Sequence, residues 1–429
     1  LAFMVHLPHL IDLQLPRFHR VEQTFPSPTV ADVAQQVHNE LRKIDQRLKP
    51  GLRCAIAVGS RGIANLPLLV SSLIAGLTAR GVIPFIVPAM GSHGNATADG
   101  QTAVLATYGI TSAAMGVPIR SSMATKAIGN LRWTGDEYRA GGQGDLELHL
   151  DAIAHDEADL IIPIVRIKPH TGFRGRYESG ICKMLAIGLG KHETCARLHR
   201  EGYERFDRLI PAAGAAILAT GKITAALAVV ENAAEQTAVI DLVPAAEVMR
   251  REPELLDLAR TLMPRLLFSA IDVLIIEEIG KNFSGTGMDP NITGRSESGP
   301  TKGFTGPTIA RIVVLGLSQV SGGNATGLGL ADIITERCFA SINRETTATN
   351  VLTSGSLLGG RIPVAVPGDD HAVLAAAACV PGRQIHDARM VRIRNTLDLR
   401  EVAVSENLLG EVRTNPALAD CGLFTGWSH

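Results

Sequence analysis

Between Lys168 and His199 the chain gathers three histidines, three lysines and two cysteines within 32 residues. They fall in the runs Lys168-Pro169-His170-Thr171-Gly172-Phe173, Gly180-Ile181-Cys182-Lys183-Met184 and Gly188-Leu189-Gly190-Lys191-His192-Glu193, which leads on to His199. Imidazoles titrate near neutral pH and can give and take protons at a reacting centre. Lys183 follows a small apolar run and precedes Met-Leu-Ala-Ile, a setting that can desolvate an amine and make it nucleophilic. The plainer alternative is a lysine that snorkels from the start of a helix. His192 and His199 are seven residues apart and share a face if that segment is helical, with Cys195 between them. Cys182, His192, Cys195 and His199 therefore permit a zinc site, although the gap of ten residues before His192 matches no standard knuckle.

Other polar loops follow apolar runs. Gly59-Ser60-Arg61-Gly62 offers a hydroxyl and a bidentate guanidinium for phosphate or carboxylate, with glycines that let backbone approach a ligand. Gly91-Ser92-His93-Gly94-Asn95 places a histidine between glycines, where it can serve proton transfer or simply bond to backbone. In the segment 278–291, Lys281 and Asn282 are placed to face a carboxylate across a cleft; an exposed glycine-rich loop is the alternative. The glycine-rich run 322–329 contains neither GxGxxG nor GxxxxGK[ST], so the dinucleotide and Walker fingerprints both fail.

Alternating strands and helices must carry these loops. Residues 54–58 form an apolar run suited to a strand buried on both faces. Residues 66–80 suit a helix with Asn65 as cap and Pro67 in its first turn, ended by Gly81. Residues 82–87 are the next strand, completing a β-α-β unit with a right-handed crossover. Further strands are expected at 159–165, 238–243, 271–277, 311–317 and 362–366. Helices are expected at 97–108, 328–343 and 371–379, and at 245–262 with a break at Pro253. The fold class is α/β, with two domains of mainly parallel sheet and an active-site cleft between them. The domains are placed at 1–264, with 405–429 as a candidate completion of it, and 265–404.

Composition narrows the function. The chain has 429 residues, 46% apolar, enough for a sizeable core. Forty-one basic against 42 acidic residues give a net charge of −1, which provides no field to hold nucleic acid or a membrane surface. Six cysteines without a CxxC are no disulfide framework. No apolar run reaches 18 residues and no signal peptide is read at residues 1–10, so a cytoplasmic enzyme is expected.

The order GSRG, MGSHGNAT, KPHTGF, SGICKM and GKHETCARLH, the first two each after a strand, resembles the lactate racemase family, whose members use a nickel-pincer nucleotide. The resemblance spans roughly residues 54–362 and is strongest over 88–199. It implies two α/β domains and, as cofactor, pyridinium-3,5-bisthiocarboxylic acid mononucleotide nickel, in which Ni is bound through carbon and two sulfurs. Square-planar Ni(II) suits such soft donors. The implied activity is racemisation or epimerisation of a 2-hydroxy acid: hydride leaves the carbinol carbon, giving a 2-keto acid, and returns to either face. By the same resemblance Lys183 is the cofactor-bearing lysine, and His199, sixteen residues on, is the nickel ligand, with His192 as the alternative. His93 and His170 are the acid/base pair, and Ser60 and Arg61 lie where the family holds the cofactor phosphate. Cofactor-synthesis enzymes are implied as partners besides the small-molecule acid, with neither nucleic acid nor membrane. The sequence departs from the family at Val58, where an acidic residue is usual, and in a longer interval between His170 and Lys183. The extra Arg174, Arg176, Tyr177 and Glu178, and a differing loop at Lys281, suggest a larger substrate such as a sugar acid, with Arg174, Lys281 and Asn282 contacting it. A non-catalytic nucleotide or nickel binding or maturation protein is the alternative; a nicotinamide dehydrogenase is a third, disfavoured by the missing GxGxxG.

Overall fold

The computed structural model describes residues 14–60, 62–141, 146–296, 304 and 306–427. They divide into two units: Pro26–Met263, and a second made of the chain on either side, up to Phe25 and from Pro264 onward. The first strand, β1 (Phe18–Gln23), belongs to the second unit.

The unit Pro26–Met263 contains β2 (Arg53–Val58), β3 (Ile83–Pro88), β4 (Thr125–Trp133), β5 (Tyr138–Ala140), β6 (Leu146–Asp151), β7 (Leu160–Arg166), β8 (Ala225–Glu231) and β9 (Thr237–Pro244). Five of them form one sheet in the order β3-β2-β7-β8-β9. The first four are mutually parallel and β9 runs antiparallel to β8. Side chains alternate between the two faces, and both faces are covered. Ala55, Ala57, Val87 and Ile161 pack toward the helices Phe206–Ala219 and Val248–Leu262. Cys54, Ile56, Val58 and Ile162 pack toward Val33–Leu41 and Leu66–Thr78. Burial on both faces explains the continuous apolar runs. Each fully buried Leu or Ile contributes roughly 1.5–3 kcal/mol. The two helices on the second face meet at Gly76, where any Cβ would overlap Leu41 Cδ1. The remaining strands form a small antiparallel sheet, β5-β4-β6.

The second unit adds β10 (Ala270–Ile279), β11 (Thr308–Leu317), β12 (Ile333–Thr335), β13 (Val364–Val366), β14 (Met390–Ile393), β15 (Glu401–Ser405) and β16 (Leu418–Leu423). Its sheet runs β13-β12-β11-β10-β14-β15-β1-β16. The strands from β13 to β14 are parallel, and β15, β1 and β16 continue the sheet antiparallel.

Several expectations change. Residues 405–429, expected as a candidate completion of the first domain, supply β16 to the second unit, because β1 pairs with both β15 and β16. Residues 328–343 are not one helix: β12 interrupts them, and only Glu336–Ala340 is α-helical. Asn65 sits at the expected cap position with φ 61°, but its side chain donates to Thr237 Oγ1 at 3.0 Å instead of capping. The helix Val248–Leu262 runs unbroken through Pro253. Proline cannot donate to the carbonyl four residues back. That carbonyl, Met249 O, is satisfied at 2.5 Å by the hydroxyl of Tyr177 instead.

Candidate functional site

Because β2, β3 and β7 are parallel neighbours, the loops after them share one edge of the sheet, where open α/β sheets bind ligands. After β2, Ser60 is half-buried and its carbonyl accepts the Tyr108 hydroxyl at 2.9 Å. Arg61 lies outside the described residues. A Cβ at Gly59 would stand 2.9 Å from Met184 Cε, so glycine there lets this loop touch the segment that follows Lys183. After β3, Gly91 has φ 60° and donates to Gly188 O at 3.2 Å. His93 is exposed at the start of the short turn Gly94–Ala96.

After β7, the His170 loop is organised by one buried carboxylate. Glu178 accepts from the backbone N–H of His170 at 2.6 Å and of Gly175 at 3.2 Å. It also pairs with Arg174 at 3.0 Å and Arg260 at 2.7 Å. Its side chain is fully buried, and the two guanidiniums and two amides together balance its charge. His170 Nδ1 accepts the Gly172 N–H at 2.9 Å, which puts the proton of the neutral ring on Nε2.

Lys183 ends the helical turn Ile181–Lys183 and is half-buried. The chain then makes a π-helical turn, Met184–Gly188, in which Leu189 N–H reaches Met184 O at 2.9 Å. Such turns often mark functional sites, because they re-aim side chains without ending the helix. The next helix, Lys191–Arg200, carries His199. Its Nδ1 lies 2.7 Å from the Cys195 carbonyl, one turn earlier, and 3.6 Å from Cys195 Sγ. Donation from Nδ1 to that carbonyl leaves Nε2 with a free lone pair. His199 is exposed as a residue, with Cys195, Tyr203 and Phe206 packed around its ring. That burial lowers the imidazole pKa, but the Cys195 contacts outweigh it and hold His199 above its ordinary value. Burial likewise raises the Cys195 thiol, and His199 and Ser92 outweigh it, holding the thiol below the usual range. Tyr203 lies 5.7 Å from the His199 ring and 6.0 Å from the His170 ring, so one tyrosine stands against both imidazoles.

His192 is exposed in a surface depression with Leu146, Glu193, Arg197, Arg200 and Glu201. Cys182 points into the core, where a Cβ at Gly214 would come 2.7 Å from its sulfur, and burial holds its thiol well above the usual range. The four-residue zinc set is thus not assembled, and among the described residues no three His, Cys, Asp or Glu side chains gather as a metal site. Toward a metal the edge brings the Nε2 of His199 and the amine of Lys183, beside the imidazoles of His93 and His170 and close-packed glycine backbone. That donor set does not suit a bare ion, and it fits a metal that arrives with ligands of its own.

Lys281 and Asn282 belong to the other unit, after β10. Lys281 Nζ donates to Asn350 Oδ1 at 2.7 Å, and Asn282 Oδ1 accepts from Ser321 Oγ at 3.3 Å. Both are exposed. Arg174 is engaged by Glu178 and by the His170 carbonyl at 2.8 Å. Of the extra stretch, Arg174, Tyr177 and Glu178 hold the loop together, and Arg176 alone is exposed.

The helix Val248–Leu262 braces this loop at three points: Met249 O to Tyr177, Arg260 to Glu178, and Glu252 to the N–H of Cys182 at 2.9 Å. Glu252 is buried, its Oε1 has no partner, and burial pushes its carboxyl up to about 7. Gly180 is required beside it, since any Cβ there would overlap Oε1. Sequence reasoning missed Glu252, Arg260 and Lys191. Only Lys191 carried a signal, by standing at a glycine-flanked helix start.

No protein-family model and no curated protein matches the chain. Among solved structures, a Thermotoga maritima protein is similar at 15% identity with a TM-score of 0.49, over 68% of this chain and 72% of that one. The lactate racemase apoprotein from Thermoanaerobacterium thermosaccharolyticum is similar at 13% identity with a TM-score of 0.47, over 88% of this chain and 94% of that one.

Proposed function

We propose that the chain is a racemase or epimerase of 2-hydroxy acids that works with a nickel-pincer nucleotide. One observation carries the proposal: the loop of His93, distant in sequence, meets the segment of His170, Lys183 and His199 at a single sheet edge, with Gly91 hydrogen-bonded to Gly188 and Ser92 against Cys195. Lys183 would hold the cofactor through its amine, and His199 would offer Nε2 to nickel, its Nδ1 being committed to Cys195 O. His192, on the surface depression, is the weaker candidate for that ligand. Ser60 and Arg61 would lie against the phosphate. When bound, the cofactor supplies an acceptor for hydride from the carbinol carbon. The chain's own part would be proton handling by His93 and His170. His170 carries its ring proton on Nε2 and there donates a hydrogen bond, so its service as a base at Nε2 requires release of the Gly172 N–H contact at Nδ1. A larger acid such as a sugar acid is the preferred substrate class, with Arg176, rather than Arg174, as the exposed charge of the extra stretch.

The test is protein co-produced with cofactor-synthesis enzymes. Intact mass should rise by a covalent adduct mapping to Lys183, nickel should co-purify, and Lys183→Arg should lose the adduct. A panel of 2-hydroxy acids should then be inverted. An adduct with nickel but no turnover of any acid would favour a non-catalytic carrier; neither adduct nor nickel would reject the proposal.

A further inference from the structure

Lys191 is the largest fully buried side chain of the molecule's described residues, at 0% exposure. Its backbone is left-handed, φ 52°, a conformation that a residue with a Cβ holds only when its surroundings impose it. Its Nζ donates to Pro88 O at 2.6 Å and to Gln101 Oε1 at 3.0 Å, and lies 3.0 Å from Asp151 Oδ2. The Asp151 contact is an ion pair by distance without the alignment of a hydrogen bond, since Oδ2 has no hydrogen-bond partner. Burial lowers the Lys191 pKa and Asp151 opposes that shift.

The Gln101 contact has a directional consequence. An ammonium only donates, so the Gln101 amide must turn its oxygen to Lys191. Its Nε2 is then aimed at Gly91 O at 2.9 Å and His93 O at 3.2 Å. Pro88 ends the strand that leads into the same loop, and Lys191 itself opens the helix that bears His199. One buried cation thus fixes both ends of the His93 loop and the helix of the other imidazole.

We infer that Lys191 is a positioning residue that, through Gln101, couples the His93 loop to the helix bearing His199. The functional half of this inference rests on the proposed roles of those two histidines; the structural half does not. Lys191→Met keeps the bulk and removes the charge. Gln101→Leu removes the relay while Lys191 keeps Pro88 O and Asp151, and it carries the test if Lys191→Met does not fold.

The amides of Gly91, His93 and Ala96 are each hydrogen-bonded, to Gly188 O, Met90 O and Ser92 O, so they report on the loop. Hydrogen exchange in the cofactor-free chain should accelerate at these amides by at least about tenfold in both variants, with β2 and β7 unchanged. In loaded enzyme the same variants should lower kcat with little change in KM while the mass adduct at Lys183 persists. Unchanged exchange at the three amides, or equal acceleration across the whole sheet, would overturn the inference. Wild-type enzyme that inverts no acid would instead reject the functional proposal, and the exchange result would still stand or fall separately.

Discussion

The two candidate acid/base histidines stand on loops that follow the strands on either side of β2, each held from beneath by a buried charge, and the two charges have opposite sign. Under His93 the backbone turns carbonyls inward, those of Pro88, Gly91 and His93, and the anchor is a cation, Lys191, working partly through Gln101. Under His170 the backbone turns amides inward, those of His170 and Gly175, and the anchor is an anion, Glu178. The direction of the loop's backbone dipoles sets the sign of the charge that can be buried below it. The anchors also differ in how they are balanced. Glu178 is matched by two guanidiniums, whereas Lys191 has one carboxylate, Asp151. Glu252, the third buried charge-bearing group of the region, accepts from the Cys182 N–H, keeps one oxygen without a hydrogen-bond partner, and has its carboxyl pushed up to about 7 by burial.

The largest expected effect tests whether the two loops serve one reaction. His93→Ala and His170→Ala should each lower racemisation by about 10²–10⁴-fold, the usual worth of a positioned acid or base, with adduct retained. Chiral chromatography of the product measures this, and retained activity in either variant would break the pairing. Next comes the anionic anchor. Glu178→Ala leaves Arg174 and Arg260 facing each other without their carboxylate and should cost about 3 kcal/mol in urea unfolding, near the lower end for a broken buried pair because Arg260 reaches solvent. A loss no larger than that of a surface substitution would mean that Glu178 does not hold the loop.

Glu252 should separate from Glu178 by its pH dependence. Its folded pKa is raised, so the neutral carboxyl is favoured in the native state. That contribution is complete below the ordinary value near 4.5 and is lost as pH rises through about 7. Glu252→Gln, which keeps an acceptor for the Cys182 N–H, should therefore gain on the wild type between pH 5 and pH 8, by up to about 3 kcal/mol. A stability difference that stays flat across this range would contradict the burial of an unpaired carboxyl.

The smallest effect concerns the brace. Tyr177→Phe strands Met249 O and should cost about 1–2 kcal/mol, within the range for an unsatisfied buried acceptor. In a Pro253→Ala background, where a backbone N–H can return to that carbonyl, the cost should shrink. Equal costs in both backgrounds would remove Pro253 from the explanation.

The β-α-β unit was legible because its signals are local. The apolar run at residues 54–58, Pro67 and Gly81 each act within a turn of their position, and the structure has β2, the helix Leu66–Thr78 and φ 75° at Gly81. The grouping of His93, His170, Lys183 and His199 was legible only through motif order. What escaped was every contact made across the chain. Lys191 finds Pro88, Gln101 and Asp151 some 40 to 103 residues away, and Glu252 reaches Cys182 from 70 residues away. Tyr177 and Glu178 looked like groups for a larger substrate because their real partners, Met249 and Arg260, lie on a later helix. The pairing of β1 with β15 and β16 was likewise invisible, since it joins opposite ends of the chain.

The most direct measurement follows the hydrogen on the carbinol carbon. Loaded enzyme is given a 2-hydroxy acid deuterated at that carbon, in ordinary water, and the inverted product is analysed by mass spectrometry. The account predicts inversion with the deuterium retained, because the hydrogen leaves and returns as hydride while the histidines exchange only the hydroxyl proton. Inverted product that has lost its deuterium to solvent would contradict it, as would the absence of inversion in any acid of the panel by enzyme carrying both nickel and the Lys183 adduct.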